Sequence, residues 1–164
     1  MLPSQQKHFL SAATHRLVII GQFNISDVLP YAIQINSKQD KHFLKKTYVV
    51  EGVSYIVKMD SDRYQTFSKS LECVACGLSG SLFLLEREHN HEPDIGHFNL
   101  YAVENNSLIL MTKDHIVPRS KGGKNSIKNY QTMCEICNSI KKAKELNNNE
   151  IKQMRQVYNS LANF

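Results

Sequence analysis

Residues 113–142 read KDHIVPRSKGGKNSIKNYQTMCEICNSIKK, and the fold of the 164-residue chain turns on how that stretch is read. It holds an acid beside a histidine (Asp114, His115), a Gly122-Gly123 turn, a Cys134-x-x-Cys137 pair and seven Lys or Arg side chains within thirty residues. Hydrolysis of a phosphodiester uses this mixture. It needs a base for water near neutral pH, a cation to offset charge on the phosphate and leaving oxygen, and basic groups to position the backbone. Histidine is the side chain that ordinarily titrates nearest pH 7, which makes His115 the candidate base. Asp114 offers a hard oxygen of the kind Mg²⁺ or Mn²⁺ prefers, and Asn138, directly after the second cysteine, offers another.

The cysteine pair has a twin upstream. Cys73-Val-Ala-Cys76 repeats the spacing of Cys134-Glu-Ile-Cys137, and no cysteine is left over. In a reducing compartment two such pairs are a common grip on one tetrahedral Zn²⁺, whereas a redox dithiol needs only one pair. Unpaired core thiols and redox chemistry are the competing readings. Gly77, next to Cys76, can take the positive φ that turns a knuckle back on itself. A zinc ion held by four thiolates keeps no position for water, so it holds shape and any chemistry lies elsewhere.

The 57 residues between the pairs are many for a simple ribbon and predict an insertion. Zinc is expected to clamp a helix beginning near Asn138 and running through Lys144 against the segment that carries Asp114 and His115. Ligands distant in sequence would then meet at one cation. Gly122-Gly123 permits the tight loop between them, and Asn129 is placed to hold that loop through side-chain hydrogen bonds to backbone. Adjacent strand residues point to opposite faces, so Asp114 and His115 share a site only at a strand end or a bulge. Pro118 fits a strand end.

The formal charge of +5 is concentrated: from Ile116 to Lys144 seven Lys or Arg face the single acid Glu135, and the remainder is close to neutral. Such a patch suits a polyanion, with a plain solvated face as the competing reading. Arg119, Lys121, Lys124, Lys141, Lys142 and Lys144 are the candidate phosphate contacts. No apolar run approaches the roughly 20 residues of a membrane helix. The N-terminal sequence lacks the pattern of a secretory signal, so a cytoplasmic setting is expected.

The flanking sequence predicts an α+β arrangement. Residues 16–23 read as a strand, and 47–50 with 53–57 flank Glu51-Gly52 as a β-hairpin. Asp60-Ser61-Asp62 suits the cap of a short helix running into Phe67. Residues 82–85 read as a short strand. Residues 86–97, with three histidines, four acids, Pro93 and Gly96, read as an exposed loop in preference to a second metal site. Residues 98–103 and 108–111 form strands around Asn105-Asn106. From Asn148 onward Ile151, Met154, Val157, Tyr158 and Leu161 recur at spacings of three and four, predicting an amphipathic helix that covers the core, with a homodimer contact as the lesser alternative.

Taken together, Asp114-His115-Ile-Val-Pro118, Ser120-Lys-Gly-Gly123, Asn129 and Cys134-x-x-Cys137-Asn138-x-x-Lys141, with Cys73-x-x-Cys76 upstream, resemble the HNH endonuclease family. The resemblance implies a ββα-metal module stapled by a four-cysteine zinc site, one catalytic Mg²⁺ or Mn²⁺, and DNA as partner. It implies His115 as general base, Asp114 and Asn138 as ligands of the catalytic cation, and Asn129 as the residue that positions the histidine-bearing loop. An Asn in place of the family's final His also occurs in phage junction-resolving endonucleases of similar zinc architecture. The likeness is specific from residue 113 to 144, touches 73–77, and does not cover 1–70. The expected organisation is an N-terminal α+β region over 1–70, a nuclease module with an inserted β-hairpin over 71–146, and a C-terminal amphipathic helix over 147–164. The expected activity is metal-dependent DNA hydrolysis; the alternative is a non-catalytic zinc-stapled nucleic-acid-binding module.

Overall fold

The computed structural model describes residues 17–33, 45–89 and 93–162. Two tight turns shape its sheet. Glu51 and Gly52 have φ of 51° and 81°, and Asn105 and Asn106 have φ of 48° and 58°. Paired left-handed residues match the twist of a two-residue hairpin, and Gly and Asn adopt that region most readily. The first turn joins β2 (Lys45–Val50) to β3 (Val53–Lys58), and the second joins β5 (Ile95–Glu104) to β6 (Ser107–His115). With β1 (Leu17–Phe23), β4 (Leu82–Glu88) and β7 (Tyr130–Cys134) they form a seven-stranded sheet in the order β1-β4-β5-β3-β2, with β6 on β5 and β7 on β6. Four helices complete the described chain: α1 (Ile25–Ile33), α2 (Asp62–Lys69), α3 (Glu135–Lys141) and α4 (Asn148–Ala162).

Strand β5 organises the sheet. One flank pairs with β4 from Glu86↔His97 to Leu82↔Tyr101. The other pairs first with β3, in parallel (Ile56↔Ile95, Val57↔Gly96), and then with β6, antiparallel (Tyr101↔Leu110 to Glu104↔Ser107). Between those two ladders Phe98 has no strand partner on that flank, and α2 fills the gap. Phe98 N donates to Tyr64 Oη at 3.0 Å, and Arg63 donates to Phe98 O at 3.4 Å. A buried backbone group must be paired, and here side chains do it. Ser61 starts α2 as expected, its Oγ accepting from Arg63 N at 3.3 Å.

The core lies where α1 and α2 meet one face of the sheet, with Val28, Ala32, Tyr64 and Phe67 packed among Phe83, Leu85, Phe98 and Met111. The Phe98 ring makes edge contacts with Phe23, Tyr48 and Phe83 at centroid distances of 5.1, 4.8 and 5.9 Å. Each such pair adds about 0.5–1.5 kcal/mol beyond burial. From α4, Met154 and Tyr158 join this cluster, and Arg155 Nε donates to Ala75 O at 3.1 Å. The expected amphipathic helix is therefore present and packed. No helix among the described residues is long and apolar enough to cross a membrane.

Three expectations need correction. Helix α1 was not foreseen, because Pro30 lies inside it and a proline there removes one backbone donor. Its start is secured by Asn24, whose N and Nδ2 donate to Asp27 Oδ2 at 2.9 and 3.1 Å. Second, 86–97 is not simply an exposed loop: β4 runs to Glu88 and β5 starts at Ile95, while residues 90–92, including His91, lie outside the described residues. Glu86 is fully buried and accepts from Asn99 Nδ2 and, at 3.1 Å, from Tyr101 Oη. Burial pushes its carboxyl pKa up, with the two hydrogen bonds pulling the other way. Third, the helix after the second cysteine pair covers Glu135–Lys141 and ends where Lys142 turns to φ 52°, so it starts earlier and stops sooner than a helix from Asn138 through Lys144.

Candidate active site

The four cysteines converge. Their Sγ atoms lie within 4.8 Å of one another, and Cys76 Sγ and Cys134 Sγ are 3.8 Å apart. Four thiolates at the ordinary Zn–S length of about 2.3 Å in a tetrahedron stand about 3.8 Å apart, so the cluster is consistent with a zinc site. Backbone geometry builds it from both sides. Gly77 N donates to Cys73 O at 2.9 Å and Cys73 N to Leu78 O at 2.8 Å, with Gly77 at φ 82° closing the upstream knuckle. Cys134 ends β7 and caps α3, its sulfur accepting from Cys137 N at 3.4 Å. Hydrogen bonds with Cys134 hold the Cys73 and Cys76 thiols below their ordinary range, while the hydrogen bond with the same sulfur drives Cys137 up. Four thiolates cannot all carry charge side by side without a cation, which is the chemistry of a metal ligand set. Among the described residues no other group of three or more His, Cys, Asp or Glu side chains converges in this way.

Through Cys134 and Cys137 the cluster fixes α3 against the β6–β7 pair. Thr112 and Asp114, two apart on β6, share a face, and Asn138 and Lys141, three apart on α3, share the facing side. Asn138 Nδ2 donates to Thr112 Oγ1 at 3.2 Å, and Thr112 Oγ1 donates to Met133 O at 2.7 Å. Asp114, 8% exposed, meets the ammonium of Lys141 at 3.1 Å on Oδ1 and 3.1 Å on Oδ2. Gln131 Nε2, from the residue opposite Asp114 in the ladder, donates to Oδ2 at 2.8 Å. Lys141 also donates to His115 O at 2.9 Å. Expected among the phosphate contacts, Lys141 is instead 2% exposed and spent on these partners. Its place three residues after Asn138 turns it inward.

His115 is the last residue of β6, and the ladder is regular through His115↔Tyr130. No bulge rotates it, so it leaves the Asp114 side and packs edge-on against the Tyr130 ring at 4.8 Å, a ring whose other contact is Lys113 Nζ at 3.9 Å. Asn125 Oδ1 lies 2.9 Å from His115 Nε2. An amide oxygen only accepts, so in this contact Nε2 is the donor, and Nδ1 is the ring nitrogen left for another partner. Thus Asp114, Asn138 and Lys141 meet on one side of the strand end, and His115 stands at its tip on the other.

The loop beyond is held by Asn129. Its Oδ1 accepts from Val117 N at 2.9 Å, and its Nδ2 donates to Val117 O and Lys124 O, both at 3.0 Å. Gly122 has φ 84°, while Gly123 comes so near Val117 O that a Cβ would stand 1.8 Å from it. Arg119, Lys121 and Lys124 on this loop, and Lys142 and Lys144 past α3, are exposed. The sequence reading missed Thr112, Gln131, Asn125 and Tyr130. Gln131 and Tyr130 follow Asn129 directly, and an antiparallel register from that loop would have set them opposite Asp114 and His115.

A strand pair and helix pinned by sulfur, with acid and histidine at a strand tip and amide and lysine on the helix, is an arrangement suited to phosphodiester chemistry. Residues 104–150 match the family model of the HNH endonucleases, a segment from the end of β5 to the start of α4. No curated protein and no solved structure matches the chain significantly.

Proposed function

We propose that the protein is a metal-dependent HNH endonuclease that hydrolyses DNA, with β6, β7 and α3 as its ββα-metal module. The observation that carries this reading is the coincidence of the family match with the placement of Asp114 and Asn138 on one face under the cysteine clamp. Cys73, Cys76, Cys134 and Cys137 would hold a structural Zn²⁺. Asp114 would hold a catalytic Mg²⁺ or Mn²⁺ with Asn138, whose nitrogen is the end bonded to Thr112 and whose oxygen would face the ion. A divalent cation bound there offsets charge building on the phosphate and leaving oxygen. The chain's own residues do the rest. His115, its Nε2–H held by Asn125 and its ring plane by Tyr130, takes the water proton on Nδ1. Asn129 keeps the loop after the histidine in place, and Arg119, Lys121, Lys124, Lys142 and Lys144 bind the phosphate backbone.

The test incubates the protein with plasmid, linear, single-stranded and four-way-junction DNA, and RNA, with and without Mn²⁺. His115→Ala should lower cleavage by about 10²–10⁴-fold while the protein stays folded and keeps its bound zinc. One observation favours a second reading, a non-catalytic nucleic-acid-binding module: Lys141 and Gln131 already engage the Asp114 carboxylate. That module would bind DNA in a salt-dependent way and cut nothing with any divalent ion.

A further inference from the structure

The sequence places Lys141 in a basic run, yet its ammonium is the most deeply buried charge beside the candidate site, with its side chain 1% exposed. It spans both oxygens of Asp114, and Gln131 takes a further position on Oδ2. An ionised carboxylate has about four lone-pair directions, so these contacts leave little of it open. A divalent cation on the same carboxylate would sit within a few ångströms of an ammonium in a site where charges are weakly screened. Lys141 and Asn138 belong to one helix fixed at its first turn by Cys134 and Cys137, so the backbone cannot carry one away and leave the other. Only the four-carbon stem of Lys141 can swing.

We propose that Lys141 is a resident counter-ion that competes with the divalent cation for Asp114, so that the cation binds by displacing the ammonium and its affinity is set by that exchange. This rests on the reading of Asp114 as a cation ligand. Displacement also releases His115 O, which Lys141 ties to the same carboxylate, so occupancy of the cation site is coupled to the main chain of the histidine-bearing strand tip. The lysine thereby stabilises the cation-free protein and weakens cation binding by the same interaction.

The test is Mn²⁺ titration of the zinc-loaded protein, following loss of the free-ion paramagnetic resonance signal, with no DNA present. Mn²⁺ is a hard ion and leaves a tetrathiolate zinc in place. Lys141→Met should bind Mn²⁺ about tenfold more tightly than the parent, and Lys141→Arg, which keeps the charge, should stay near it. Equal or weaker binding by Lys141→Met, or equal tightening by both variants, would overturn the competition. Asp114→Asn separates the two proposals. If it abolishes Mn²⁺ binding while Lys141→Met fails to tighten it, the ligand reading stands and the competition falls; if it leaves Mn²⁺ binding unchanged, both fall. Should Lys141→Met be unfolded without Mn²⁺, refolding is repeated with the ion added. Recovery of the folded state supports the exchange, because the ion then replaces the ammonium, and no recovery overturns it.

Discussion

Two buried carboxylates in one sheet have been given opposite company. Glu86, in the middle of β4, is surrounded by neutral donors from Asn99 and Tyr101 and has its carboxyl pushed up by burial. Asp114, at the end of β6, faces a lysine carried by a separate helix. The first acid and both of its donors sit on adjoining strands of one β4–β5 ladder, so its partners are fixed by the sheet itself. The second depends on α3 staying docked, and α3 is docked by the cysteine cluster. Neutral donors on the neighbouring strand make a carboxylate part of the scaffold, whereas a lysine reaches its acid on a flexible four-carbon stem.

The widest test of that contrast is to remove the clamp. If the cysteine cluster holds zinc as proposed, its chelation, or Cys134→Ser, should withdraw stabilisation of about 10 kcal/mol from the segment that depends on it. Hydrogen exchange should then show amides of β6, β7 and α3 losing protection while those of β4 and β5 keep it; equal loss in both would erase the distinction. Next in size is Gly123→Ala, where the added carbon meets Val117 O. It should cost about 2–4 kcal/mol in chemical denaturation and lower cleavage by disturbing the histidine loop, leaving Glu86 untouched.

Glu86→Ala strands two buried donors and should cost about 2 kcal/mol. Its pH dependence sharpens the comparison. Because the folded carboxyl is raised, the folded state favours the protonated form, so this group's contribution is full below the ordinary carboxyl range and is lost as pH rises through the raised value. The melting temperature of the parent relative to Glu86→Gln should therefore decline over that interval, and a flat difference would refute the burial argument. The smallest effect belongs to Lys142 and Lys144. Exchanging both for Gln should change stability by no more than about 0.5 kcal/mol while lowering the salt slope of DNA binding by about 2.

Features set by neighbours a few residues apart were legible in the sequence. The paired cysteines, the Asn105-Asn106 turn, the Ser61 cap and the loop held by Asn129 all follow from local spacing or turn chemistry. What failed required knowledge of distant partners. Glu86 looks like a loop acid until Asn99 and Tyr101, on the next strand, are known to face it. Lys141 looks like a phosphate contact until Asp114 and His115 O, on a strand distant in sequence, are known to face its side of α3. Helix α1 was hidden by Pro30, whose tolerance depends on packing of Val28 and Ala32. The adjacency of Asp114 and His115 was legible as a difficulty, and with no bulge in the ladder the strand end is what remains to bring the two to one site, His115 being the last residue of β6.

Strand β1 runs along β4 from Leu17↔Glu88 to Phe23↔Phe83. A truncated chain beginning near the first cysteine pair would strip that cover and present a row of bare peptide groups beside Leu84 and Leu85, a template for self-association. The N-terminal strand therefore acts as insulation for the sheet, and a protein cut back to start near the first cysteine pair should aggregate in place of forming a smaller working unit.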